Sequence, residues 1–389
     1  MASKLWLLAF LALSTAVVIR SPLLGGAAFI MAGSPLVAAW WTGRIERGLR
    51  LRHVVAETLS YGETSTVTLE VSNTSLLPVP WLQLTTSVPL MLRAAPPLRT
   101  AFALGAGGSR RMTYPIRGAR RGFYRVGPLR VATGDVLGLY LRQLNAPAAE
   151  VTVLPEILHL HELGLPAQAP FGPLTRRQQR GEDPARPAGV RPYQSSDGAR
   201  RLDWKSSARH GELFVRRSEP SIAPETTLAL CFRLEDYPSH VVKDSLERAA
   251  VVAASLAAAL LARRLPVGLV TNGVDDKNPG AEVVLPTGKG DGHLGLLLTV
   301  LGRLSASKGS SIFELLAGMP LPWGGTLVLI LADLDMELLV PIQTLKRRGQ
   351  HVTLALLEPS PGGVALARGQ GLLPLSVDRR GFPVVFGGT

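Results

Sequence analysis

The sequence predicts three parts in order: two N-terminal transmembrane helices, an all-β sandwich-like domain, and an α/β doubly wound domain. Three observations carry this. Two apolar stretches fill the first fifty residues, short alternating strands punctuated by turn residues follow, and apolar strands then alternate with helical segments. A chain of 389 residues is long enough for more than one core. The expected boundaries are 1–50 for the helix pair, 51–155 for the sandwich-like domain, 156–220 for a connector and 221–389 for the α/β domain.

Residues 5–19 are apolar apart from Ser14 and Thr15, and after Arg20-Ser21-Pro22 a second apolar run covers 23–41. The second reaches the ~20 residues a helix needs to cross the hydrocarbon layer. The first is shorter and would span with Lys4 and Arg20 snorkelling to the interface. Trp6 and the Trp40–Trp41 pair stand near the ends, where indole favours the interface. A basic start before a short apolar run also describes a cleaved signal peptide. The second apolar run argues for a hairpin instead. Arg44, Arg47, Arg50 and Arg52 crowd the exit of the second stretch, so positive-inside bias puts both ends and the bulk of the chain in the cytoplasm. The expected location is the inner (plasma) membrane, crossed more than once, with anionic lipid holding the juxtamembrane arginines.

Apolar residues make up 46 % of the chain and the formal net charge is +13, which suits an anionic partner such as lipid, nucleic acid or an acidic protein face. The single cysteine, Cys231, excludes a disulfide framework and any thiolate-built zinc cluster.

Between 54 and 154 the pattern changes. Residues 65–71 alternate with period two, preceded by Gly62 and ended by Asn73-Thr74-Ser75 with Pro78 and Pro80. Further strand-like runs cover 81–87, 111–116, 123–126 and 129–132, and such punctuation suggests a small antiparallel sandwich. With no histidine between His53 and His159 and no catalytic grouping, this part reads as a packing or spacer module.

Residues 184–192 read as a Pro/Arg/Gly-rich connector. It leads into a dense stretch, 189–217, where Arg and Lys alternate with Asp197, Asp203, Tyr193 and Trp204. Guanidinium groups pair with carboxylates and stack on rings, so Asp197 and Asp203 are candidate partners for Arg200, Arg201 or Arg209. Three readings compete. A nucleic-acid patch would use the cations and rings, but the interleaved acids blunt a phosphate track, and no nucleic acid is expected. A hydrolytic site would need Ser206, Ser207 or His210, yet no nucleophile-elbow turn or metal-ligand histidine pair accompanies them. The preferred reading is an ion-paired docking face formed by Arg191, Tyr193, Asp197, Arg200, Arg201, Asp203, Trp204, Lys205, Ser207, Arg209 and Arg216. The chain is therefore expected not to be an enzyme.

This stretch resembles the hallmark of the bacterial family known as domain of unknown function 58, with Tyr193, Asp197, Arg200, Arg201, Trp204, Ser207, Ala208, Arg209, Gly211, Leu213, Val215 and Arg216 at matching positions. Ser196 stands where glycine is usual, and Leu202 where isoleucine is. The run Arg121-Gly122-Phe123-Tyr124-Arg125-Val126-Gly127-Pro128-Leu129, the run Asp135-Val136-Leu137-Gly138-Leu139 and the N-terminal helix pair are similar too. The resemblance implies a membrane protein with a von Willebrand A-like C-terminal domain. Its implied partners are a MoxR-type AAA+ ATPase and other von Willebrand A-like proteins, and its implied gene neighbours include transglutaminase-like proteins.

In the C-terminal third, strands are expected at 226–232, 267–271, 326–332 and 351–357, with an edge strand at 283–285. Helices are expected at 246–261, 293–304, 312–316 and 336–348, giving an open parallel sheet covered on both faces. The 246–261 helix has too short an uncharged core to span a bilayer and reads as buried. Ligands in such sheets bind beyond the strands' carboxyl ends. A von Willebrand A-like domain usually holds magnesium there through D-x-S-x-S, but this chain reads Cys231-Phe232-Arg233-Leu234-Glu235-Asp236-Tyr237-Pro238-Ser239. Asp236, Ser239 and Asp333 are the degenerate metal candidates, with Glu235 also available. Arg233 would oppose a cation, and Asp333 and Asp335 read as caps of the next helix. No cofactor is expected.

Overall fold

In the computed structural model, residues 2–96, 98–160, 182–194, 202–220, 225–280, 282–372 and 374–377 are described. They form two compact units, 1–154 and 155–389.

The first unit opens with two helices, α1 (Ala2–Ile19) and α2 (Pro22–Gly48). Arg20, at φ 56°, makes the turn between them, and Pro22 starts α2 where no N–H is needed. The Ser14 and Thr15 hydroxyls bond back to the carbonyls of Phe10 and Leu11, so each is satisfied within the helix. Buried positions on the pair include the small residues Ala9, Ala16, Ala28 and Ala38, while Phe10, Val18, Leu23 and Phe29 face outward. α2 is long and apolar enough to cross a membrane, and only 17 % of its most apolar window is buried within the chain.

Ten strands follow: β1 (Leu49–Val54), β2 (Thr58–Leu59), β3 (Thr64–Asn73), β4 (Val79–Thr85), β5 (Arg99–Leu104), β6 (Ser109–Arg117), β7 (Gly122–Val126), β8 (Leu129–Gly134), β9 (Leu141–Ala146) and β10 (Ala149–Val153). They pair in three small sheets, β1-β3-β6, β2-β10-β7 and β5-β4-β8-β9. Val67, Leu69 and Val71 of β3 point inward with Leu82 and Leu84 of β4, Ile116 of β6 and Val151 and Val153 of β10. Period-two alternation puts these residues on one side, and one core serves all three sheets.

α2 ends inside that core. Ile45 is fully buried among the strand residues and Trp41 packs against them. Thr74 donates both its N–H (2.9 Å) and its hydroxyl (2.8 Å) to the Gly48 carbonyl, and Trp41 Nε1 donates to the Pro78 carbonyl (3.2 Å). β1 begins at the next residue, so no linker separates helix from strands.

The second unit begins, among its described elements, with β11 (Glu182–Pro192), α3 (Trp204–His210) and β12 (Phe214–Pro220). β11 pairs antiparallel with β12, which corrects the reading of 184–192 as a connector. Then come β13 (Thr226–Leu230), α4 (Val242–Ala262), β14 (Val267–Thr271), β15 (Val274–Asp275), β16 (Val283–Gly288), α5 (Asp291–Arg303), β17 (Leu304–Ser305) and α6 (Ile312–Gly318). The chain continues through β18 (Thr326–Leu331), α7 (Met336–Arg347), β19 (His351–Leu356), α8 (Pro361–Gly369) and β20 (Pro374–Ser376).

Six strands make one sheet in the order β16-β14-β13-β18-β19-β20. All neighbours are parallel except β16, which runs antiparallel at the edge, so the sheet is mixed and not wholly parallel. β13, β14 and β18 are buried along their whole length, as strands covered on both faces must be. α4 is apolar enough to pass for a membrane span, but 72 % of its window is buried against this unit. It is a core helix. β14 lies on one side of β13 and β18 on the other, so the strand order reverses between β13 and β18. That is where an open sheet leaves a crevice at its carboxyl edge.

Candidate functional site

Two groupings contain the residues singled out from sequence. The first is the signature stretch. Asp203 is the N-cap of α3 and accepts from the Ser206 N–H (3.1 Å), and Gly211, at φ 73°, ends the helix in the left-handed region. The Ser207 hydroxyl donates to the Asp203 carbonyl (2.8 Å) and accepts from the Phe214 N–H (2.9 Å). It therefore ties the helix to the first residue of β12. The Asp203 N–H reaches the Phe214 carbonyl (2.8 Å), and Leu202 bridges Val215, whose side chain is buried. His210 Nδ1 lies 2.9 Å from the Ser206 carbonyl and its ring packs 5.0 Å from Phe214.

The geometry gives the sequence candidates distinct jobs. Asp203 caps the helix and Ser207 clamps it to the hairpin, so the proposed serine nucleophile has both hydroxyl functions occupied by backbone groups. Trp204 is 68 % exposed, and Lys205 and Arg209 are exposed with it. Tyr193 stands at the end of β11, partly open, its N–H bonded to the Leu213 carbonyl. Arg191 Nη1 donates to the Pro192 carbonyl (3.2 Å). Arg216 lies on β12, paired in register with Val190. Asp197, Arg200 and Arg201 lie outside the described residues.

The second grouping rims the sheet's carboxyl edge, and its pairings, with Tyr237, Ser245, Arg248 and Glu358, were not read from sequence. Cys231 follows β13, and its thiol donates to Asp236 Oδ2 (2.7 Å). Arg233 places Nε (3.0 Å) and Nη2 (2.5 Å) on Asp236 Oδ1. Tyr237 is buried with its hydroxyl on the Cys231 carbonyl (2.7 Å). Burial pushes both the Cys231 thiol and the Tyr237 phenol well up, with the Asp236 charge adding to the effect, so both stay protonated. The bond to Asp236 raises Arg233 further. After β19, Glu358 pairs with Arg248 of α4, and both side chains are about nine-tenths buried. Ser245 donates to Glu358 Oε1 (2.7 Å), and Arg248 also donates to the Ser245 hydroxyl (3.0 Å) and the Leu357 carbonyl (3.2 Å).

Magnesium does not fit here. Asp236 has one oxygen on a guanidinium and the other on a thiol. Asp333 accepts the Leu334 N–H (2.8 Å) and the Ser360 N–H (3.2 Å), while Ser239 is exposed. Asp335 does cap α7, through the Leu338 N–H (3.0 Å), but Asp333 instead bridges to the start of α8. Arg233 already supplies positive charge to Asp236, as Arg248 does to Glu358, and among the described residues no three His, Cys, Asp or Glu side chains gather as a ligand set.

The stretch from the end of β11 to just beyond α6, residues 189–320, matches a family model described as "Protein of unknown function DUF58". This region is similar to the DUF58 family. The matched stretch contains α3, β12 and the Cys231–Asp236 contact; Asp333 and Glu358 lie beyond it. A relative, "Uncharacterized protein YeaD" of Bacillus subtilis (strain 168), is 27 % identical over 191 residues, and the match spans 47 % of this chain and 42 % of that protein. Solved structures with partial likeness include the α-2-macroglobulin of Escherichia coli from domain MG7 to the C-terminus, with TM-score 0.25 and 16 % identity over 28 % of this chain and 17 % of that chain. Another is the CARDB domain of the PF1109 protein of Pyrococcus furiosus, with TM-score 0.22 and 14 % identity over 27 % of this chain and 87 % of that chain. Scores this low carry no argument about role.

Proposed function

We propose that the protein is a membrane-anchored scaffold or assembly factor, with the face of α3 as its docking surface. One observation supports this above others. A large indole and two cations are displayed on a helix whose polar residues, Asp203 and Ser207, are spent on holding it in place. Exposed Trp and Arg on a rigid support are the residue types that dominate protein–protein contacts. The same bonds argue against Ser207 as a nucleophile, which would need a base in hydrogen-bond reach of its hydroxyl. α1 and α2 serve as a two-pass anchor with both ends cytoplasmic, on the arginine bias at the α2 exit. The family resemblance points to a MoxR-type AAA+ ATPase as the partner, with other von Willebrand A-like proteins in the same assembly.

The test is affinity capture of the full chain from detergent extract. An AAA+ ATPase is expected with the wild type and is expected to be lost with Trp204→Ala and Arg209→Glu. Capture without any AAA+ protein would remove the proposed partner. A tag at the carboxyl terminus that is reachable from outside intact cells would remove the topology.

A further inference from the structure

The end of the β unit nearest α2 carries large apolar side chains that the fold holds outward. Leu76 is 94 % exposed, Val136 79 % and Leu137 64 %. Their presentation is built, not incidental. Val136 and Leu137 sit on a turn organised by Asp135, whose buried carboxylate accepts the N–H groups of Leu137 (2.9 Å), Leu139 (3.2 Å) and Tyr140 (2.7 Å). Trp81 Nε1 fixes the same turn through the Asp135 carbonyl (3.2 Å). A buried carboxylate here stabilises a turn that displays two hydrophobic residues to the outside.

The level of these residues along α2 follows from their bonds. Twenty residues of α2 from Pro22 rise about 30 Å, the thickness of a hydrocarbon core, and end at Trp41. Gly48 lies about 10 Å further on. Thr74 is bonded to Gly48 and Pro78 to Trp41, so the segment between them runs back along the helix toward the apolar span and carries Leu76 with it. On another side, Arg142 at the start of β9 pairs with Glu46 (3.4 Å), which brings the Asp135 turn to the same end. Arg44, Arg47 and Arg50 add positive charge at this level.

We infer that the β unit rests on the lipid surface, with Leu76, Val136 and Leu137 inserted at the boundary between headgroups and acyl chains. The partner is an anionic bilayer, and the fusion of α2 to the strands sets the depth. Apolar side chains flanked by cations, held at headgroup level, are the chemistry that recognises it. The inference rests on reading α2 as a membrane span.

The test uses the full chain in vesicles of phosphatidylethanolamine and phosphatidylglycerol, carrying an environment-sensitive NBD label at one introduced cysteine. Cys231 is left in place, because it is only 3 % exposed. Leu76→Cys and Val136→Cys are the test positions. Leu90→Cys, 71 % exposed near the opposite ends of the strands, and Phe29→Cys, within α2, are the references. Blue-shifted emission, quenched by nitroxide lipids labelled near the glycerol, is expected at positions 76 and 136, with position 90 remaining wet. If 76 and 136 are as wet as 90 while 29 is quenched, the span stands and the resting surface is overturned, as it would be if a protein partner covered this rim. If 29 is wet as well, the span itself fails and takes the inference with it.

Discussion

Replacing Arg248 by methionine would take a guanidinium from a site where Glu358, the Ser245 hydroxyl and the Leu357 carbonyl all face it. Both charged side chains are nearly inaccessible, at 8 % and 7 %. In a buried pair, the attraction roughly offsets the desolvation of the two ions, so the pair itself adds little net stability. Removing one partner strands the other charge, and that costs about 3–5 kcal/mol. Arg248→Met should therefore destabilise the second unit by about that amount. The double change Arg248→Met with Glu358→Leu should recover most of it, because no ion is then left without a partner. Urea titration followed by hydrogen exchange on peptides from β13 and α4 reads this unit separately from the first. A single-variant loss below about 1 kcal/mol would refute the reasoning, since that is the range of an exposed pair. So would a double variant as unstable as the single one.

His53 is half-buried on β1, with Nε2 3.3 Å from the Tyr114 hydroxyl and Nδ1 unpartnered, and burial lowers its pKa below the usual histidine value. The unfolded chain therefore binds the proton more readily, so the stability of the first unit should be complete above about pH 6.5 and decline as pH falls toward the lowered value, by at most ~1.4 kcal/mol per pH unit. His53→Gln should flatten this dependence in acid denaturation, and an unchanged slope would exclude His53 as its source. Ser207→Ala should expose the Phe214 amide to exchange and cost the hairpin about 0.5–1.5 kcal/mol, the net worth of a hydrogen bond whose donor water can then reach; unaltered protection at Phe214 would contradict the clamp. At Gly48, an added Cβ would stand 2.7 Å from Ser75 Cβ and 2.9 Å from its backbone nitrogen. Gly48→Ala should lower the stability of the first unit by about 1–3 kcal/mol, the usual penalty of overpacking, and a neutral result in thermal melting would mean that the junction yields.

How much was readable depended on whether a signal was local. The helices at 5–19 and 23–41 were legible because apolar length is a property of consecutive residues, and β3 because Val67, Leu69 and Val71 alternate with polar neighbours. β9 was missed because most of its side chains are open, which leaves no alternation to read. β11 reads as a connector because its prolines cannot donate to a ladder, yet among the described residues it pairs with β12 alone and tolerates them as an edge. α8, which begins Pro-Gly-Gly, is not among the helices expected from sequence; the Ser360 cap and the Asp333 bridge make it a helix start.

The amino-acid order alone determined the apolar N-terminal segments, the strand-rich middle, the strand–helix alternation near the carboxyl end and the signature around Trp204, because hydropathy, periodicity and motif spacing are written along the chain. Which side chains meet was decided only by the tertiary structure. Arg248 finds Glu358 across more than a hundred intervening residues, and the Ser207 hydroxyl accepts from the Phe214 N–H of the next strand. Charge pairing and hydrogen bonding act over a few ångströms of space, and distance along the chain does not encode distance through it.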